Sequence, residues 1–347
     1  MPPGQSGPSS TFPARVYARA PGRVDLCGGG TDPEPYCVDF GGLVLNVAIS
    51  IHTHVAIEMR SDGRSRISSI DLGREIETPA GRPFALDGRL DLPAALANRI
   101  PSSRGYDVEI STELPPASGL SSSASLGVAL LAALARFTGR DLDRPAIADL
   151  HSAVERFDLK IWGGKQDPFA CSHGGLRLWR FEGERAVEEP MVVAGGTVAE
   201  LERNLLLVYS GEAHLSGNIH NEILADYRRG DSKVKAAQHR LKEVAALSRR
   251  ALEAGDLREL ASLLDANWEA HQRLHPSCST ARLHELITIG KEHGAWGAKV
   301  CGAGGGGAIV FLVPPRNRQA VAAALEATGA RLLPFKFDPS GVEVWSR

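Results

Sequence analysis

Residues 115–126 read PPASGLSSSASL, three consecutive serines between a Pro-Pro-x-x-Gly turn and an Ala/Leu-rich run. The first N–H groups of a helix have no intrahelical partner and carry partial positive charge, so an anion there is held by hydrogen bonds and dipole together. Small residues let a phosphate approach that backbone. One hydroxyl suffices to cap a helix, so three behind PPASG point past the simple cap, which is the alternative reading, to an anion cradle. No G-x-x-x-x-G-K-[ST] string occurs and no serine here stands centrally in G-x-S-x-G, so neither a Walker loop nor a nucleophile elbow fits.

Two more glycine-rich stretches carry polar chemistry. In GRVDLCGGGTD (residues 22–32) Arg23 and Asp32 flank a glycine cluster after a strand; Asp32 can accept hydroxyl hydrogen bonds and Arg23 can counter negative charge, although singly each reads as a surface residue. CGAGGGG (301–307) matches G-x-G-x-x-G, but AIVFLV follows as a strand, so the dinucleotide fingerprint of an oxidoreductase lacks its strand-turn-helix context. It reads as a strand-to-strand loop whose amides close over a ligand, with a glycine hairpin as the alternative. His271 and His275 in HQRLH lack the glutamate of a zinc helix, and Pro276 ends the helix, so they are not read as a metal pair. His52 and His54 share one strand face and read as surface or pocket-lining groups. The five tryptophans read as core.

These stretches need elements to hold them. RVYARAPGRVDL, GLVLNVAI, THVAIEM, SRISSI and YDVEIST have the β-branched alternation of strands. SSSASLGVALLAALARFTG is apolar nearly all round, a buried helix closed by Gly139, and RPAIADLHSAVERF is a second helix with Pro145 near its start. GLRLWRF returns as a strand. After a composition shift at 184–203, NLLLVYSG is a strand, followed by amphipathic helices in SKVKAAQHRLKEVAALSRRALEAG, DLRELASLLDANWEAHQRL and STARLHELITIGKEHG, the last with Ser279 as N-cap and Gly294 as C′. Strands AKVCG and AIVFLV, helix RNRQAVAAALEATG, and strands RLLPFKF and VEVW complete a ferredoxin-like order.

The 347 residues are long enough for two lobes with a ligand cleft between them. With 39 basic and 41 acidic residues there is no global field to gather nucleic acid or membrane, and the longest apolar run is too short to span a bilayer. MPPGQSGPSSTFP lacks the cationic and apolar regions of a signal peptide. Five scattered cysteines without C-x-x-C spacing argue against disulfides and zinc and for a reducing cytoplasm.

RAPGRVDLCGGGTD, PPASGLSSSA and KVCGAGGGGAIVFL, in that order, resemble the three motifs of the GHMP small-molecule kinases, named for galactokinase, homoserine kinase, mevalonate kinase and phosphomevalonate kinase. The resemblance covers almost everything after residue 14. It implies an α+β, two-lobed fold: a disordered tail (1–13), an N-terminal ATP-binding lobe like domain 2 of ribosomal protein S5 (14–195) and a ferredoxin-like C-terminal lobe (196–347). It also implies that Pro116, Ser118, Gly119, Leu120, Ser121, Ser122, Ser123 and Ala124 wrap the phosphates of ATP. Mg²⁺ would be held by Ser123 and by Glu155, which stands twelve residues before Asp167 in VERFDLKIWGGKQDPFA. Asp167 would take the proton of an attacking hydroxyl, with Arg23 and Lys165 assisting, and Gly29, Gly30, Thr31, Asp32, Asp167, Gly304 and Gly305 would border the substrate.

Galactokinases read GEHTD where this chain has Gly29 and Gly30, which puts galactose in doubt. GGGTD, PY, FGG, GGKQDPFA and KVCGAGGGG most resemble the branch of D-glycero-D-manno-heptose 7-phosphate kinase and L-fucokinase, both of which phosphorylate an anomeric hydroxyl. SGEAHLSG, with Glu212 and His214, stands where the heptose enzymes carry an arginine in TGISRSS; a carboxylate there opposes a substrate phosphate unless His214 offsets it. A sugar phosphate is the favoured partner, a non-phosphorylated sugar of the fucose or galactose type the alternative, and a catalytically silent sugar sensor the rival from another class. Monomer and homodimer both remain open.

Overall fold

Strand β1 (Arg15–Cys27) alternates buried residues with exposed or half-buried ones up to Ala20 and is buried on both faces beyond it, because its second half runs beneath helices of the C-terminal lobe. It pairs antiparallel with β2 (Gly42–Met59). The computed structural model describes residues 13–212 and 216–346, so most of the expected tail lies outside the described residues. After the short helix α1 (Tyr36–Asp39), β2 serves two partners. Gly42–Val47 pairs with β6 (Leu176–Glu182), and Thr53–Met59 pairs with β5 (Tyr106–Thr112). With β3 (Arg64–Ser69), β4 (Arg74–Pro79), β7 (Arg185–Glu189) and β12 (Glu343–Ser346), the sheet runs β12-β1-β2-β5-β3-β4, with β6 and β7 on the other half of β2. Helices α2 (Asp91–Arg99), α3 (Ser122–Thr138), α4 (Arg144–Ala153) and α5 (Gln166–His173) complete the first lobe. Alanine, leucine and valine all round α3 bury it in the largest apolar cluster.

The second lobe holds α6 (Gly195–Asn204), β8 (Leu205–Tyr209), α7 (Ser216–Arg228), α8 (Ser232–Ala254), α9 (Leu257–Gln272), α10 (Ala281–Glu292), β9 (Gly297–Val300), β10 (Ala308–Leu312), α11 (Arg318–Glu326) and β11 (Arg331–Leu332). Its antiparallel sheet has the order β11-β8-β10-β9, the ferredoxin-like arrangement in which the first and third strands are central. Asp231 and Asp256 cap α8 and α9 by accepting from Lys233 N and Glu259 N. One apolar cluster runs from Val24, Leu26 and Val47 through Val244 and Leu260 to Leu207 and Val310, so the two lobes share a core.

Several local expectations change. GLVLNVAI and THVAIEM are halves of one long strand. The helix expected through Phe157 leaves α geometry at Ala153 and closes with a π turn, Val154–Asp158. Helices α2 and α6 and strand β4 had no assigned counterpart in sequence. Thr280, not Ser279, caps α10, accepting from Leu283 N. VEVW leaves the ferredoxin-like lobe: β12 pairs with β1, and Phe337 bridges Ile49, so the segment after β11 returns to the first sheet.

Candidate active site

The serine stretch folds as a tight turn running into α3. Ala117, Gly119 and Ser121 have φ of 50°, 72° and 66°, and such left-handed residues among right-handed ones turn successive N–H groups toward one concavity. Ser121 occupies the N-cap position yet makes no side-chain capping bond, so the helix entrance is not closed by its own hydroxyl. The Ser118 and Ser121 hydroxyls are buried without a protein partner, while Ser123 is exposed. The C-terminal lobe braces this turn: Ala308 N donates to Ser118 O at 2.8 Å, and a Cβ on Gly119 would meet Cys301 O at 2.3 Å. Only glycine combines that approach with that φ.

Arg23 reaches the same turn from β1. It is buried and donates Nη1 to Gly119 O at 2.5 Å, while Nη2 lies 2.6 Å from Asp167 Oδ1. Burial works against its charge, but Asp167 and Asp25 outweigh burial and raise its pKa, so the guanidinium stays charged. Asp167 sits in the first turn of α5. Glu155 lies in the π turn, a departure from α geometry that often marks functional sites. Burial holds its carboxyl above the usual carboxylate range, Asp167 adding to the rise while His151 and the Ser123 hydroxyl pull it down.

A cleft of about 270 Å³ takes in Arg23, Gly29, Gly30, Asp32, Ser118, Gly119, Ser121, Ser122, Ser123, Glu155, Asp167 and Gly304. Residues from opposite ends of the chain thus meet around one cavity at the lobe junction. Other expected residues stand back from it. Pro116 is exposed outside it, Leu120 and Ala124 are core, and the Gly305 amide is tied to Cys278 O. Thr31 Oγ1 donates to Gly28 O at 2.7 Å and accepts from Leu43 N, which shapes the loop. Lys165 faces away, donating to Glu184 O at 2.6 Å and Glu184 Oε2 at 2.8 Å, so the structure does not bring it to Asp167. Asp32 is buried and accepts from Gln166 N at 3.0 Å; burial first, then Asp167, pushes its pKa up to about 6. His275 Nδ1 bonds Ser277, and His52 is buried against Asp338. His214 lies outside the described residues.

Sequence reasoning missed His220, Gln238 and His271 as cleft residues, from α7, α8 and α9, and Trp162 and Gln166 beside Asp167. A signal existed for two of them: Gln238 interrupts the buried face Val234, Ala237, Leu241, and His271 interrupts Leu264, Trp268. A polar group on an apolar stripe requires a buried partner.

Comparison with known proteins bears on what this cleft is. Residues 91–175 match the GHMP kinases N terminal domain and residues 248–331 match the GHMP kinases C terminal. The chain belongs to the GHMP kinases. It is 29% identical over 344 residues to D-glycero-alpha-D-manno-heptose 7-phosphate kinase of Campylobacter jejuni, covering 95% of this chain and 98% of that one. It is 28% identical to the bifunctional fucokinase/GDP-fucose pyrophosphorylase of Arabidopsis thaliana, over 88% of this chain and 31% of that protein. Among solved structures, a D-glycero-D-manno-heptose 1-phosphate kinase from Bacteroides thetaiotaomicron superposes with a TM-score of 0.79 at 27% identity, covering 96% of this chain and 99% of that one. This GHMP kinase is thus an enzyme that transfers phosphate to an alcohol. Among its described residues no helix is long and apolar enough to cross a membrane.

Proposed function

We propose that this GHMP kinase transfers the γ-phosphoryl group of ATP to a sugar hydroxyl, the favoured acceptor being the anomeric hydroxyl of D-glycero-D-manno-heptose 7-phosphate. The observation that carries the reading is the meeting of the serine turn, Glu155, Arg23 and Asp167 in one cleft. The N–H groups of residues 119–123 hold the triphosphate, which fits a concavity at the start of a seventeen-residue helix. Ser123 and Glu155 are hard oxygen donors that line the same cleft and fit Mg²⁺, which when bound would neutralise phosphate charge. Asp167 accepts the proton of the attacking hydroxyl as its oxygen bonds to γ-phosphorus; the bond from γ-phosphorus to the bridging oxygen breaks and ADP leaves. Arg23 holds Asp167 by one edge and faces the transferred group with its charge. Packing of the turn against residues 301–308 keeps water from the γ-phosphate.

Two observations support a phosphorylated acceptor. The Glu212 carboxylate is not a cleft group; it accepts from Thr280 Oγ1 at 2.9 Å. The exposed Arg228 guanidinium lies 5.6 Å from the ring centre of Trp162, a cleft residue, and has no carboxylate within ion-pairing distance among the described residues. The five cysteines are free and buried, which agrees with a cytoplasmic setting.

An ADP-release screen over heptose 7-phosphate, sedoheptulose 7-phosphate, L-fucose, galactose and mevalonate tests the reading. Turnover with a sugar, highest with heptose 7-phosphate, is expected. Sugar binding without ADP release would leave the sensor, and turnover with mevalonate alone would move the chain to another branch.

A further inference from the structure

Three cleft side chains share an unusual hydrogen-bonding state. Gln166, Gln238 and His271 are 7%, 4% and 3% exposed and line the cavity. Each gives a donor to a motif loop: Gln238 Nε2 to Gly30 O at 2.9 Å, Gln166 Nε2 to Asp32 Oδ1 at 3.4 Å, and His271 Nε2 to Ala303 O at 3.0 Å. All three partners are acceptors, which dictates both amide orientations and the imidazole tautomer. What remains on each residue is an acceptor with no partner: Oε1 of Gln166, Oε1 of Gln238 and Nδ1 of His271. Burial pulls the His271 pKa down to about 4, so near neutral pH its Nδ1 is a bare lone pair.

A buried acceptor left unmet is costly, so three on residues that line one cavity call for a ligand that brings donors. The ionic groups sharpen the requirement. Among the described residues the cleft presents the carboxylates of Asp32, Glu34, Glu155 and Asp167 against the guanidinium of Arg23, which is already paired with Asp167. A phosphate or carboxylate would bring negative charge and more acceptors. A sugar hydroxyl brings a donor without charge. Resting on the sugar-kinase reading, we propose that Gln166, Gln238 and His271 form a hydroxyl-reading floor that selects a neutral polyol face of the acceptor and rejects a carboxylate-bearing acceptor. A phosphate on the sugar then points away from this floor, toward Trp162 and the Arg228 guanidinium beside it.

The test pairs protein variants with monodeoxy analogues of the sugar turned over best. Calorimetric titration of each sugar in the presence of a non-hydrolysable ATP analogue supplies the affinities, and ADP release supplies kcat/KM. For wild type, removing the hydroxyl that meets a floor residue lowers affinity about 10–100-fold. Gln238→Met, and separately His271→Leu, lowers affinity for the parent sugar by a similar factor. Each variant becomes indifferent to loss of one particular hydroxyl, a different one for each. A role confined to bracing the loops would weaken all analogues alike, so additive losses at every position would overturn the floor while leaving the sugar-kinase reading intact. Efficient turnover of mevalonate beside sugars would do the same. Absence of both sugar binding and sugar turnover would overturn the two together. Because either variant can fail to fold, Gln166→Met is carried in parallel, with melting temperature as the check.

Discussion

The serine turn and the proposed acceptor floor line the same cleft and are built on opposite principles. The turn is a backbone site: alternating left-handed residues, Ala117, Gly119 and Ser121, at a helix entrance, made by one contiguous stretch of chain. The floor is a side-chain site whose members come from α5, α8 and α9, and each is useful only because a loop from elsewhere takes up its donor. A backbone site suits a ligand part common to many enzymes, while a side-chain site can change with the acceptor without disturbing the turn. The two should therefore fail in different ways when damaged.

The largest effect is expected where the two regions meet. Asp167→Asn should lower kcat by about 10²–10⁴-fold, with nucleotide affinity close to wild type; a stopped assay for ADP with parallel nucleotide titration checks it. On the turn side, Gly119→Val places a branched side chain at φ 72° against Cys301 O. We expect at least about tenfold weaker ATP binding and a melting temperature several degrees lower, of the order a 1–3 kcal/mol strain produces. Unchanged sugar affinity in that variant would sharpen the separation.

On the acceptor side, Arg228→Ala should raise KM for a sugar phosphate about 5–20-fold and leave KM for the matching neutral sugar within about twofold. Equal effects on both would remove Arg228 from acceptor recognition. His271 gives a pH test. Its folded pKa of about 4 lies below the ordinary 6.5, so the unfolded chain takes up the proton first as pH falls. The stabilisation from keeping the ring neutral is full above 6.5 and is lost as pH drops toward 4. The stability difference between wild type and His271→Leu should therefore shift by roughly 3 kcal/mol in the variant's favour between pH 7 and 4; denaturant melts at both pH values measure it. The smallest effect is expected at Lys165, which is turned to Glu184: Lys165→Ala should change kcat by less than about threefold.

The contrast between backbone and side-chain sites also explains what could be read in advance. Serine and glycine runs, the strand patterns of the first lobe and the strand–helix order of the second are local, so PPASGLSSSASL and CGAGGGG could be placed at a helix entrance and between two strands. The spacing of Glu155 before Asp167 pointed to two residues that line one cavity, yet gave no sign that Glu155 sits in a π turn. Lys165 shows the limit: proximity to Asp167 in sequence carried no information about the side chain, which turns toward Glu184. The strand VEVW was legible as a strand but not as a neighbour of β1, since pairing partners are chosen by the fold.

By itself the sequence determined where backbone amides are free and small residues let a ligand close, because helix ends and left-handed turns follow from local residue chemistry. Tertiary structure alone decided that Arg23 clasps Asp167 and that Gln238 and His271 retain an unmet acceptor each. The physical reason is that a hydrogen bond or ion pair depends on which atoms lie within about 3 Å, and that distance is set by packing between segments far apart in the chain.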